Sequence, residues 1–154
     1  MLLTELITPE AVVPSLKVNS KKHALQELSD RAGLISGLAP RVIFDTLLQR
    51  ERLGSTGIGE GIAIPHGKLA GVKTMFGMFA RLAHPIDFHA LDGAPVDLIC
   101  LLIAPEMAGA DHLKALARMA RVLRDPRVTA KLRAARDVIG LYAVLTGETA
   151  SHAA

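Results

Sequence analysis

The sequence predicts an α/β domain built in layers. Apolar residues at helical spacing fill the stretches on either side of the chain's middle. The middle carries short β-prone runs punctuated by glycine and proline, and neither a linker nor an internal repeat divides the whole. With 154 residues, half of them apolar, the chain has material for one core without covalent staples, so a single domain over 1–154 is expected.

The first helix is expected after Ser20, a capping residue, with Ala24, Leu25, Leu28, Ala32 and Ile35 on one face and Gly33 or Gly37 marking its end. Pro40 opens a second helix, with Val42, Ile43, Leu47 and Leu48 as apolar positions, closing near Gly54 and leaving Arg50 and Arg52 by its carboxyl end. Ile62-Ala63-Ile64 reads as a short strand broken by Pro65, which places His66 in a loop just past it. Met75 to Arg81 and Val96 to Ile103 read as further strands. The latter is apolar on both faces and so central in its sheet, and Asp92-Gly93 supplies a turn between the two. Leu113, Leu116, Ala117, Ala120 and Leu123 define a third helix, Asp125-Pro126 interrupts it, and two shorter helical patterns run to Thr146. Residues 146–154 are expected to be a fraying tail.

Composition excludes several classes of function. The one cysteine, Cys100, lies in an apolar run and reads as a buried, inert thiol. A chain unable to close an internal disulfide fits a cytoplasmic address. No basic region precedes the first apolar residues and no run approaches a membrane span, so neither secretion nor membrane insertion is expected. A formal charge of +3, arginines at helical spacing between 118 and 136, and few aromatics argue against nucleic-acid binding.

The chemically suggestive segment is Gly57-Ile58-Gly59-Glu60-Gly61-Ile62-Ala63-Ile64-Pro65-His66-Gly67-Lys68. An imidazole is largely neutral at pH 7, so His66 can attack phosphorus without a base to deprotonate it first. The neighbouring glycines allow close backbone approach, and Arg50 offers fixed charge and paired donors to phosphoryl oxygens, with Lys68 adding positive potential. Spacing alone leaves plainer alternatives open: Arg50 and Arg52 as cations complementing a helix end, Lys68 as a solvated residue, the glycines as turn formers, His66 as a surface histidine. The segment lacks the dinucleotide fingerprint, and Leu69 stands where a P-loop needs Ser or Thr, which disfavours ATP binding.

Residues 53–69, from Leu53-Gly54-Ser55-Thr56 through Pro65-His66-Gly67-Lys68-Leu69, resemble the active-site signature of the fructose/mannitol class of phosphotransferase-system IIA domains, and within it the nitrogen-type IIA proteins most closely. The resemblance continues through Pro85-Ile86-Asp87-Phe88, Asp92-Gly93-Ala94-Pro95-Val96-Asp97-Leu98 and Asp111-His112-Leu113, covering nearly the whole chain. It implies a three-layer sandwich with a central mixed β-sheet flanked by helices. It also implies a phosphoryl relay in which an HPr-type phosphocarrier phosphorylates Nε2 of His66, supported by His112 and Arg50. Cofactors and metals are not expected: His84, Asp87 and His89 sit close enough to suggest a metal site, but the surface reading is preferred because His84 precedes Pro85 in what reads as a turn and the family holds no metal there. His112, from spacing alone, is a solvent-facing residue of a helix's first turn. Glu60, a carboxylate near a phosphoryl site, either faces away or tempers the lifetime of the phosphorylated state.

The expected function is that of a nitrogen-type phosphocarrier whose phosphorylation state regulates protein targets, with potassium-transport regulators or sensor kinases as candidates. Whether to class it as an enzyme stays open, since it is a phosphotransferase component with a regulatory output. The alternatives are a stand-alone sugar-transport IIA component passing phosphate to a IIB partner, and a non-catalytic binding module. Arg50, His66 and His112 all standing at matching positions argues against the last.

Overall fold

The computed structural model describes residues 2–147. Among them, six strands form one mixed sheet and five helices cover it, giving the expected α/β sandwich. The strands are β1 (Val12–Leu16), β2 (Gly57–Gly59), β3 (Ile62–Ala63), β4 (His66–Leu69), β5 (Phe76–Ile86) and β6 (Val96–Pro105). The helices are α1 (Lys21–Ser36), α2 (Pro40–Arg52), α3 (Ala110–Arg124), α4 (Pro126–Ala134) and α5 (Val138–Leu145).

Strand β6 is the axis of the sheet. It runs antiparallel to β5 on one side and parallel to β3 and β4 on the other, while β1 adds parallel to β5 and β2 antiparallel to β3. Its residues Leu98 to Ala104 are fully buried, as a run apolar on both faces requires. Cys100 lies among them, and burial pushes its thiol up to about 12, so it stays protonated.

Local chemistry sets the helix ends. The Ser20 hydroxyl accepts the N–H of His23, a cap worth about 1 kcal/mol. Gly37 ends α1 in the left-handed conformation that its lack of a side chain permits, whereas Gly33 lies inside the helix, its Cα against the Pro40 ring of α2. Asp125 and Asp137 cap α4 and α5. Thr146 closes α5, its N–H and hydroxyl both donating to the Tyr142 carbonyl, and residues 148–154 of the expected tail fall outside the described range.

Three sequence-based expectations need correction, and one strand had no counterpart among them. His66 does not lie in a loop: it opens β4, in register with Leu102 of β6, because the Pro65 carbonyl accepts the Leu102 N–H and carries the pairing past the proline. His84 and Pro85 lie within β5 and not in a turn. The register with β6 slips between Arg81 and Ile86, and such an irregularity tolerates a proline. Strand β1 was not apparent in the sequence because Pro14 interrupts it; as an edge strand it spends no inward N–H there, and the Pro14 carbonyl accepts Nε of Arg81. Val42, Ile35 and Leu113, assigned to apolar helix faces, are exposed.

Candidate phosphoryl-transfer site

Three elements bring Arg50, His66 and His112 together: the last turn of α2, the first residue of β4 and the first turn of α3. Helix α2 packs on β4 through a close approach at Gly67, where an added Cβ would lie 2.6 Å from Cγ2 of Thr46. That contact fixes the height of Arg50 relative to His66.

The imidazole of His66 is held at both nitrogens. Nδ1 lies 2.9 Å from the Ile64 carbonyl, and Nε of Arg50 donates to Nε2 across 3.3 Å. A carbonyl only accepts and a guanidinium only donates, so the hydrogen sits on Nδ1 and the lone pair on Nε2. Burial holds the His66 pKa below the usual histidine value, and the Arg50 cation adds to that; the Ile64 hydrogen bond and the Glu51 carboxylate act in the opposite sense. The ring is therefore neutral at pH 7, with Nε2 unprotonated.

Arg50 is half-buried and fixed by a second bond, Nη1 donating to the Gly54 carbonyl at 2.9 Å. His112 is buried, with its ring centroid 5.6 Å from that of His66 and the planes tilted by 50°. Its Nε2 is buried without a hydrogen-bond partner, an uncommon and costly state for a ring nitrogen. Its pKa is also lowered, first by burial and then by the charges of His66 and Lys68. The solvent-facing position that spacing alone suggested for His112 is thus wrong. Lys68 is exposed, two residues along β4 from His66 and so on the same strand face.

The Glu60 side chain is exposed at a tight turn with φ of 60°, next to Arg133, whose guanidinium donates to the Glu60 carbonyl and bidentately to Asp97. The carboxylate that His66 senses belongs instead to Glu51, which the sequence reading passed over. Its signal was present: Ile43, Leu47 and Glu51 follow at intervals of four, so the buried stripe of α2 ends on a carboxylate. His84 and His89 are exposed, and His89 stands 3.9 Å from Asp87; the described residues hold no group of three or more His, Cys, Asp or Glu side chains arranged to ligate a metal.

No helix among the described residues is long and apolar enough to cross a membrane. Relatives share both sequence and shape. A nitrogen regulatory protein of Bradyrhizobium diazoefficiens is 59% identical over 145 residues, covering 94% of this chain and 95% of that one. The nitrogen regulatory protein of Escherichia coli K12 is 40% identical over 94% of this chain and 89% of its own length. The crystal structure of the nitrogen regulatory protein IIA-Ntr from Neisseria meningitidis superposes with a TM-score of 0.89 at 37% identity, covering 94% of this chain and 99% of that one. Residues 5–147 match the family described as "Phosphoenolpyruvate-dependent sugar phosphotransferase system, EIIA 2", and the chain, a IIA-type protein of the phosphotransferase system, belongs to that family.

Proposed function

We propose that this chain is a nitrogen-type phosphocarrier: His66 accepts a phosphoryl group on Nε2 from the phosphohistidine of an HPr-type carrier, and the phosphorylation state governs engagement of regulatory protein targets. The observation that carries this reading is the two-sided fixation of the His66 ring, which leaves the Nε2 lone pair free of hydrogen and beside Arg50.

In the proposed step the Nε2 lone pair attacks the donor's phosphorus in line. The new N–P bond forms as the donor's P–N bond breaks, and the electron pair of the broken bond returns to the donor imidazole. The proton on Nδ1 stays, hydrogen-bonded to the Ile64 carbonyl. Charge spread over the phosphoryl oxygens meets the Arg50 guanidinium and, when Nε2 of His112 carries its proton, a donor otherwise lacking a partner. Little covalent work falls to the protein; alignment and charge compensation suffice.

A phosphorylated surface carries new negative charge, enough to change the affinity of a protein that reads it. The names of the relatives favour nitrogen regulation as the output. Potassium-transport regulators and sensor kinases are the candidate targets.

Incubation with phosphorylated HPr-type carrier is expected to label the protein in an acid-labile, base-stable form, and His66→Ala to abolish labelling. Persistent labelling of that variant would remove His66 from the relay. Rapid onward transfer to a cysteine of a sugar-specific IIB protein would favour a transport role over a regulatory one.

A further inference from the structure

Among the described residues Glu51 is the only buried acidic side chain, and the proposed transfer step does not use it. Both carboxylate oxygens are occupied. Oε1 accepts the Thr56 N–H at 3.0 Å and lies 2.9 Å from Nζ of Lys21, while Oε2 accepts the Thr56 hydroxyl. Lys21 is the first residue of α1, where the helix dipole opposes a cation, so its place there is compensated by Glu51 and by the Phe88 ring, 4.8 Å from Nζ. The Ser55 hydroxyl donates to the Phe88 carbonyl at 2.8 Å, which closes the cluster on the segment after α2.

This cluster determines where Arg50 can reach. The backbone carbonyl of Glu51 accepts the Gly54 N–H at 3.1 Å, and the Gly54 carbonyl accepts Nη1 of Arg50. Gly54 is therefore pinned on one side by the residue whose carboxylate anchors Thr56 and on the other by the guanidinium that touches His66. Loss of the Glu51 carboxylate frees the 54–56 segment and with it the second hydrogen bond that aims Arg50.

We propose that Glu51, locked between Lys21 and Thr56, is a positioning residue of the phosphoryl site that acts through Arg50 and also balances the Arg50 charge at His66. The proposal rests on the reading of His66 as the phosphoryl acceptor. A second consequence separates this role from general support of the fold. The charged and titratable groups about His66 are Arg50 and Glu51 from α2, with Lys21 of α1 paired to Glu51, His112 from α3 and Lys68 on β4, and Glu51 is the one anion among them. Removing its charge leaves cations and a second imidazole, so protonation of His66 becomes harder and its titration moves to lower pH.

The test compares wild type with Glu51→Gln, which preserves shape, and Thr56→Val, which preserves both charges. Transfer from phosphorylated HPr-type carrier and the His66 titration followed by ¹⁵N NMR are measured on each. For folded Glu51→Gln we expect transfer slower by about 10- to 100-fold, the penalty of misaligned reacting groups, and a His66 midpoint displaced to acid. For Thr56→Val we expect slower transfer with the His66 midpoint close to wild type. Wild-type transfer in Glu51→Gln, or slowed transfer with an unmoved midpoint, overturns the proposal. If Glu51→Gln does not fold, Thr56→Val decides: slowed transfer supports the proposal and wild-type transfer overturns it. Labelling that persists in His66→Ala, measured alongside, marks failure of the acceptor assignment and not of the role of Glu51.

Discussion

Nε of Arg50 sits 3.3 Å from Nε2 of His66, so a permanent cation donates a hydrogen bond to the lone pair that the proposed chemistry needs. The contact is compatible only with an unprotonated Nε2, and it must open or shift as phosphorus arrives. In the proposed transfer Arg50 thus has two roles, keeping the proton off Nε2 and standing beside the incoming oxygens.

Transfer should lose rate in acid. Protonating Nε2 removes the nucleophile, and burial together with Arg50 opposes that protonation. The midpoint of the acid limb is therefore expected below about 6.5, the ordinary histidine value. A pre-steady-state pH profile against phosphorylated carrier checks this, provided the carrier's own titration is measured separately. The same shift has a consequence for stability. The unfolded chain binds a proton on this ring at a pH where the folded chain does not, so the contribution is intact above the unfolded pKa. It declines as pH falls through that value toward the lower folded one. A His66→Phe variant should be less sensitive to acid over that window in chemical denaturation.

Arg50→Ala should slow transfer by on the order of 100-fold, the usual cost of removing one charge-stabilising donor from a transition state. Its His66 titration should move up, since one cause of the depression is gone while burial remains. Arg50→Lys keeps charge but offers one ammonium in place of a planar fork. It cannot serve the Gly54 carbonyl and His66 in the same geometry, so an intermediate rate is expected. A lysine variant equal to wild type would reduce the arginine to a source of charge alone.

His112 offers a different signature. Its buried Nε2 lacks a partner, a state that costs about 1–3 kcal/mol. His112→Ala relieves that cost while leaving a void, and the two oppose each other. The melting temperature should change little while transfer slows by at least about tenfold. A wild-type rate in a folded His112→Ala protein would make His112 a bystander.

The sequence made the layered architecture legible because its signals are local. The buried stripe of α1, the cap at Ser20, the proline opening α2 and the apolar run of β6 each announce themselves within a few residues. Strands β1 and β4 were hidden for a shared reason: each is short and touches a proline, and each exists because a neighbouring strand supplies the pairing. At the site, His66, Arg50 and His112 came from a motif and not from periodicity. Helical spacing put His112 in solvent, and only the packing of α3 against β6, which brings its ring toward His66, buries it. Glu51 had a periodicity signal, but its partners Lys21 and Thr56 belong to a long-range meeting of α1, α2 and the following segment that no local pattern encodes.

Two glycines allow the geometry of the site to be separated from the stability of the fold. At Gly61, φ is +82° and an added Cβ would lie 2.6 Å from Nη2 of Arg133 and 2.9 Å from Oδ1 of Asp97, so Gly61→Ala strains the β2–β3 turn and its clamp to α4. At Gly67 the obstacle is Cγ2 of Thr46, one turn before Arg50 on α2. Both substitutions should cost about 1–3 kcal/mol, as overpacking does. Their effects on transfer should differ. Gly67→Ala pushes β4 from α2 and so lengthens the path from Nε of Arg50 to Nε2 of His66, whereas Gly61→Ala strains a turn tied to α4. We expect Gly67→Ala to slow transfer well beyond Gly61→Ala at matched loss of stability. Thr46→Ser removes the clashing methyl while keeping the hydroxyl that donates to the Val42 carbonyl, so Gly67→Ala combined with Thr46→Ser should recover most of the rate. Transfer measured on the single and double variants, beside urea denaturation of each, decides the matter. If the double variant stays as slow as Gly67→Ala, the α2–β4 approach does not set the distance between the cation and the nucleophile.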